Sequence, residues 1–182
     1  MTAAVRLVHT AGLTPVERTA VHALLTDAFD GDLTAEDWDH TLGGLHALVV
    51  DERGPVAHGA VVMRRVLAGG RWCRVGYVEG VAVRRDARRT GLGGRIMGAL
   101  EGVIDRAYDF GALGASDDGA LLYAGRGWRV WGGRISAAGP DGVVRFREEE
   151  GAIFVWGRVD GSGGADGADD GLVFDWRDGD VL

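Results

Sequence analysis

The chain has 182 residues, 46% of them hydrophobic, enough for one domain with a sizeable core and past the length at which small folds depend on staples. Its formal charge of −7 is concentrated from Asp141 onward, where eleven acids meet four arginines; an acidic tail repels nucleic acid and anionic membranes and would attract a polycation. No apolar run is long enough to cross a bilayer, residues 1–6 lack the basic start and apolar stretch of an export signal, and the single Cys73 excludes an intrachain disulfide. The expected setting is therefore a reducing cytoplasm, with no metal.

Residues 5–8 read as a first strand. Thr14-Pro15 then opens a helix, with Thr14 as cap and Pro15 in the first turn. Val16, Ala20, Ala23, Leu24 and Ala28 keep helical spacing behind it. A short helix starts at Thr34, with Glu36 and Asp37 near its positive end and Trp38 turned inward. Strands follow at 46–50 and 56–67 around an Arg53-Gly54-Pro55 turn. Ala68-Gly69-Gly70 makes the next hairpin, and a long strand returns over 72–83. Gly76 and Gly80 lie inside that strand, where glycine marks a bulge or a close backbone approach.

From Gly91 the period becomes helical, with Leu92, Ile96, Leu100, Val103 and Ala107 in one stripe. A short strand at 110–113 precedes a helix that starts at Asp117, carries Leu121, Leu122 and Tyr123, and ends near Gly125 or Gly127. Strands are expected at 128–137 and 153–159. Residues 161–171 are mostly Gly, Ala, Asp and Ser, the composition of a flexible linker. They lead to an ordered-looking end from Leu172. This order predicts an α/β (α+β) fold, a mixed sheet with helices on its faces, over residues 1–160. The segment 172–182 would pack back on the site.

The most informative segment is Val81-Ala82-Val83-Arg84-Arg85-Asp86-Ala87-Arg88-Arg89-Thr90-Gly91-Leu92-Gly93-Gly94-Arg95-Ile96. A strand runs into a basic, glycine-rich turn and directly into a helix. Small residues admit a ligand to the backbone, and the first amides of the helix have no partner inside it. The helix dipole adds positive potential there. That arrangement grips a pyrophosphate, and the arginines add charge and donors. A P-loop is excluded because Arg95-Ile96 stands where Lys and Ser or Thr are required. The frame of Gly91, Gly93 and Gly94 does not fit a dinucleotide fingerprint either. An ordinary glycine turn with solvated arginines is the alternative on the loop alone.

Arg88-x-x-Gly91-x-Gly93 resembles the acetyl-CoA loop of the GNAT superfamily, R/Q-x-x-G-x-G/A. Four further blocks resemble the actinobacterial aminoglycoside 2′-N-acetyltransferases: Asp37-Trp38-Asp39-His40-Thr41-Leu42-Gly43-Gly44, Gly76-Tyr77-Val78-Glu79-Gly80-Val81-Ala82-Val83, Leu122-Tyr123-Ala124-x-Arg126-Gly127-Trp128, and Asp175-Trp176-Arg177-x-Gly179-Asp180-Val181. The resemblance implies a GNAT-like fold with a bulged central strand. It also implies a homodimer, acetyl-CoA as co-substrate and a polycationic aminoglycoside as acceptor.

Acetyl transfer from a thioester to an amine needs a deprotonated amine, a polarised carbonyl, a protonated leaving thiolate and an ordered pantetheine arm. By resemblance, Glu79 is the general base acting through water, and Tyr123 is the general acid. The backbone of Val81 and Val83 would bond the pantetheine amides, with the Val81 N–H as oxyanion donor. The amides of Arg89, Gly91, Gly93 and Gly94, with Arg88 nearby, would hold the pyrophosphate. Asp32, Asp37 and Asp180, with the Gly80 backbone, match positions that contact the drug, and Glu148, Glu149 and Glu150 lie in an acidic run. The chain departs from its relatives at Gly114, where they carry a drug-bonding serine, and at Leu182, where they carry a tryptophan. Each loss could cost on the order of 1 kcal/mol of drug binding. A GNAT enzyme for another polyamine or amino sugar, or a silent acyl-CoA-binding module, are the competing readings. Cys73 lies in a strand beside Trp72 with no histidine near it in sequence and reads as a buried structural thiol.

Overall fold

The computed structural model describes residues 4–159 and 171–182. The expected linker at 161–171 lies outside the described residues except for Gly171. The chain divides into two compact units, Met1–Val62 with Val78–Val103 and Met63–Tyr77 with Ile104–Leu182.

The first unit begins with β1 (Arg6–His9), followed by α1 (Pro15–Ala28) and α2 (Ala35–His40). Both helices start on a complete capping box. Thr14 and Glu17 exchange bonds at α1, Thr34 and Asp37 at α2, so two orphan amides are satisfied at each start. The buried face of α1 is Val21, Leu24 and Leu25; of the expected stripe Leu24 and Ala28 turn to the core, while Val16 and Ala23 are exposed. Alanines on both faces made the stripe ambiguous; the larger side chains at i, i+3 and i+4 decide which face turns inward. With Leu13, Leu48 and Ala82 they form a core cluster against which Trp38 packs, as expected of that residue.

β2 (Leu45–Asp51) pairs antiparallel with β1 and with β3 (Gly54–Ala68). The β2–β3 turn is Glu52-Arg53, one residue earlier than expected, and Gly54 at φ +110° opens β3. Gly69 and Gly70, both at positive φ, make the hairpin into β4 (Arg71–Val83), since a two-residue turn there needs left-handed backbone. α3 (Leu92–Ala107) buries Leu92, Ile96, Leu100 and Val103 as the periodicity predicts, with Met97 and Ile104 beside them, while Ala107 is exposed.

The second unit holds β5 (Phe110–Gly114), α4 (Asp117–Arg126), β6 (Arg129–Val130), β7 (Ile135–Gly139), β8 (Gly142–Arg145), β9 (Ile153–Trp156) and β10 (Leu172–Asp175). Its strand order is β6-β9-β5-β4-β3-β10-β7-β8. The sheet is mixed. β4–β5 and β10–β7 are parallel, and β10–β3, β5–β9, β6–β9 and β7–β8 are antiparallel. The single strand expected at 128–137 is two, β6 and β7, because Gly132-Gly133 interrupts it. β8, which the sequence pattern does not predict, pairs with β7. α4 ends on Gly127 at φ +97°, the left-handed cap expected of a glycine there. Leu121 is exposed on it and Tyr123 is buried. Leu172 and Phe174 of β10 are fully buried between β3 and β7, so the 172–175 segment is part of this unit's core.

Candidate active site

The two glycines inside β4 do different work. A side chain at Gly76 would meet Ile104 at 2.8 Å and the Tyr108 ring at 2.9 Å, so this glycine permits close packing of the end of α3. Gly80 is at φ +55°, a conformation costly for any residue with a Cβ. It breaks the pleat of β4 between Glu79 and Val81, both half-buried on the strand, with Val83 two residues on. The β4–β5 register runs from Val75↔Phe110 to Tyr77↔Ala112.

The Gly80 carbonyl is held from the core. His58 Nδ1 lies 2.7 Å from Gly80 O, His58 Nε2 lies 2.9 Å from His46 Nδ1, and His46 Nε2 lies 2.8 Å from Thr10 Oγ1. The Gly43 N–H donates to Thr10 Oγ1 at 2.9 Å. Both imidazoles are fully buried. Burial pushes His58 down to about 3, against the opposing effect of its bond to Gly80. Burial, with the charges of His9 and Arg18, lowers His46 to about 4. Both are neutral at physiological pH.

The loop after β4 is fastened before it reaches α3. Arg84 bonds Asp51 and Asp86, and Arg53 reaches Asp86 at 2.5 Å. These contacts hold Asp51 at about 2 and keep Asp86 below its ordinary value, Arg84 being the first cause for each. Arg85 pairs with Asp30 and Asp27 and donates to the Asp27 carbonyl, while Arg88 donates to the carbonyls of Val83 and Ala28. Two cations thus sit at the negative end of α1, where the dipole favours them. Arg89 at φ +62° and Gly91 at φ +85° turn the chain into α3, whose first intrahelical bond is Arg95 N–H to Gly91 O at 3.1 Å. Nothing lies within 4 Å of where a Gly91 side chain would stand. Gly93 and Gly94 are half-buried in the first turn. An open, glycine-lined first turn with arginines beside it fits a pyrophosphate.

In the second unit, Tyr123 is buried on α4, with its ring 6.3 Å from Trp128 and 6.1 Å from Phe154. Asp180 is exposed, accepts the Leu182 N–H at 3.2 Å, and acts on Glu149. Burial first, then the charges of Asp180 and Glu148, raise Glu149 above the usual carboxylate range. Acids close enough to repel are what a polycation would relieve.

Arg64 organises the last residues. It is buried and donates to Asp175 Oδ1 at 2.8 Å, to Asp175 O at 2.6 Å and to Val181 O at 2.8 Å. Its guanidinium lies about 5 Å from the Tyr77 and Phe174 rings. The Tyr77 hydroxyl and Arg177 both donate to Leu182 O at 2.9 Å. A side chain at Gly114 would stand 3.5 Å from that hydroxyl and 3.9 Å from Leu182 O. Gly114 and Leu182 therefore adjoin one another around Tyr77.

The first unit thus carries Glu79, Gly80, Val81, Val83 and the loop residues Arg88, Arg89, Gly91, Gly93 and Gly94. It also carries Asp32, exposed after α1, and Asp37, half-buried, whose Oδ2 accepts the Thr34 N–H at 2.9 Å. The second unit carries Tyr123 and Asp180. Sequence pattern alone does not single out Thr10, His46, His58 or Arg64. The available signal was a histidine or arginine inside an apolar strand, which needs a partner when buried. Among the described residues no group of acids, histidines and cysteine could hold a metal, and no helix is long and apolar enough to cross a membrane.

No family model matches the chain. Among solved structures, the GNAT family N-acetyltransferase YhbS of Escherichia coli, in complex with CoA, matches 97% of this chain and 91% of its own, at TM-score 0.64 and 18% identity. The GCN5-related N-acetyltransferase of Kribbella flavida matches 73% of this chain at TM-score 0.58 and 24% identity, and the match spans only 34% of that longer protein. The fold is that of the GNAT acetyltransferases. An aminoglycoside 2′-N-acetyltransferase from Mycolicibacterium fortuitum is 42% identical over 176 residues, 97% of this chain and 90% of its own. The chain belongs to the aminoglycoside 2′-N-acetyltransferase family.

Proposed function

We propose that this enzyme transfers the acetyl group of acetyl-CoA to the 2′-amino group of aminoglycosides. The observation that carries the reading is the 42% identity to the Mycolicibacterium fortuitum enzyme over nearly the whole chain. The loop from Arg88 to Gly94 holds the pyrophosphate through the amides of Arg89, Gly91, Gly93 and Gly94, with Arg88 beside them. The backbone of Val81 and Val83 pairs with the pantetheine arm as a strand edge would. The Val81 N–H donates to the thioester carbonyl oxygen as negative charge develops on it. Glu79 takes one proton of the 2′-ammonium through water and the amine nitrogen bonds the carbonyl carbon; as the carbon–sulfur bond breaks, Tyr123 gives its proton to the thiolate and recovers one from solvent, into which the nitrogen sheds its second proton. Asp32, Asp37, Asp180 and the Gly80 backbone hold the polycation. The enzyme works as a homodimer in the cytoplasm.

Gly114 and Leu182 favour a second reading, a smaller polyamine or amino sugar as the physiological acceptor. They adjoin at Tyr77, where the resembled enzymes carry a serine and a tryptophan. Thiol release from acetyl-CoA, measured with an aminoglycoside bearing a 2′-amine and with a small polyamine, separates the two. The first reading predicts higher kcat/KM for the drug. Turnover of the polyamine alone selects the second.

A further inference from the structure

The chain Thr10–His46–His58 has a direction that its chemistry dictates. A carbonyl only accepts, so His58 Nδ1 carries the hydrogen it gives to Gly80 O. A neutral His58 then has an accepting Nε2, and His46 Nδ1 must donate to it. The neutral His46 is left with an accepting Nε2, to which Thr10 Oγ1 donates, while the Gly43 N–H donates to Thr10 Oγ1. Thr10 Oγ1 has one hydrogen, and His46 Nε2 at 2.8 Å is nearer than its other acceptor, Gly44 O at 3.3 Å; with both rings neutral, reversing any one bond would set two acceptors or two hydrogens against each other along the chain. The pair is positioned by register: His46 stands opposite Ala60 on β3, and His58 is two residues along the same face.

A neutral chain that ends on an amide carbonyl has no proton to deliver there, so it is not a relay. Its end point is a peptide unit. In a planar trans peptide the Gly80 C=O and the Val81 N–H point in opposite directions. Fixing the first aims the second. Glycine at 80 makes this necessary, because it leaves the Gly80–Val81 peptide free of the steric limits that would otherwise choose its orientation. A hydrogen bond to the carbonyl also polarises the N–H on its far side.

We propose that Thr10, His46 and His58 are positioning residues that lock the Gly80–Val81 peptide so that the Val81 N–H faces the thioester carbonyl oxygen. This deepens the function proposed above and rests on its assignment of Val81 as oxyanion donor.

The test compares His58→Leu, which removes the donor, with His58→Asn, which keeps an amide N–H near the Nδ1 position. Turnover of acetyl-CoA with a 2′-amino aminoglycoside is measured where chemistry limits the rate, with acetyl-CoA Kd measured separately. Removing an oxyanion donor costs about a hundredfold or more, so losing its aim should lower kcat at least about tenfold in His58→Leu. Acetyl-CoA Kd stays within about twofold, since the other contacts remain, and His58→Asn recovers most of the rate. A purely structural role would not split kcat from Kd in this way. Nitrogen NMR of the wild-type protein should find His58 as the Nδ1–H tautomer; the Nε2–H tautomer overturns the proposal, whether or not the variants fold. Folded His58→Leu with wild-type kcat, or His58→Asn as slow as His58→Leu, also overturns it. Those results leave the functional reading intact, whereas wild-type protein that binds acetyl-CoA without turnover sinks both.

Discussion

Replacing Arg64 with methionine is the sharpest test of how the end of the chain is held. Methionine keeps an unbranched side chain that can fill the space, but removes three charge-assisted hydrogen bonds and the cation over two rings. Bonds to charged groups contribute about 1.5–3 kcal/mol each. Asp175 is 41% exposed, so its carboxylate bond is screened and counts for less. The carbonyls of Asp175 and Val181 lose a buried donor outright. The loss should be about 3–5 kcal/mol, a large share of the stability of a domain this size. Urea unfolding of both proteins measures it. The same variant should raise the aminoglycoside KM, because Asp180 lies one residue before Val181, and leave acetyl-CoA Kd unchanged. A stability change below about 1 kcal/mol would refute the reasoning, since the bonds would then be worth no more than an exposed pair.

Gly93→Val puts a branched side chain in the first turn of α3 and should raise acetyl-CoA Kd at least about tenfold, or roughly 1.4 kcal/mol, by titration. Tyr123→Phe should lower kcat about a hundredfold with acetyl-CoA Kd nearly unchanged; near-normal turnover would make Tyr123 a packing residue. Asp37→Asn keeps an oxygen for the Thr34 N–H, so α2 should stay capped while the aminoglycoside KM rises through loss of charge. Folded His46 and His58 titrate at about 4 and about 3 instead of 6.5, so below pH 6.5 the unfolded chain binds more protons. Stability should be full above that pH and fall toward pH 4 at up to about 1.4 kcal/mol per pH unit for each histidine. Equal urea midpoints at pH 7 and pH 5 would contradict this.

Local signals in the sequence survive folding where local chemistry decides the structure. Thr14-Pro15 caps α1, Gly69-Gly70 turns a hairpin, Gly127 ends α4, and the stripe from Leu92 to Val103 turns inward. What was not legible depends on distant partners. Val16 fits a helical stripe, yet it is exposed because Val21, Leu24 and Leu25 meet Leu48 and Ala82 from other strands. β8 exists because residues 142–145 find β7, which composition does not foretell. Gly76 and Gly80 look alike in sequence, and only the packing of Ile104 and the φ of Gly80 tell a close approach from a bulge. His46 and His58 stand in apolar runs, and nothing nearby in sequence announces that Thr10 and Gly80 satisfy them. The roles proposed for Glu79, Gly80 and the loop from Arg88 to Gly94 rest on consecutive residues in the resembled blocks.

The proposed activity is transfer to one nitrogen. The direct measurement is NMR assignment of the acetylated nitrogen, with mass spectrometry of the product, for two aminoglycosides that differ only in a 2′-amine or a 2′-hydroxyl. The proposed activity gives a single acetyl group on the 2′-nitrogen of the first and none at that position of the second. Acetylation of another nitrogen of the amine-bearing drug would contradict it.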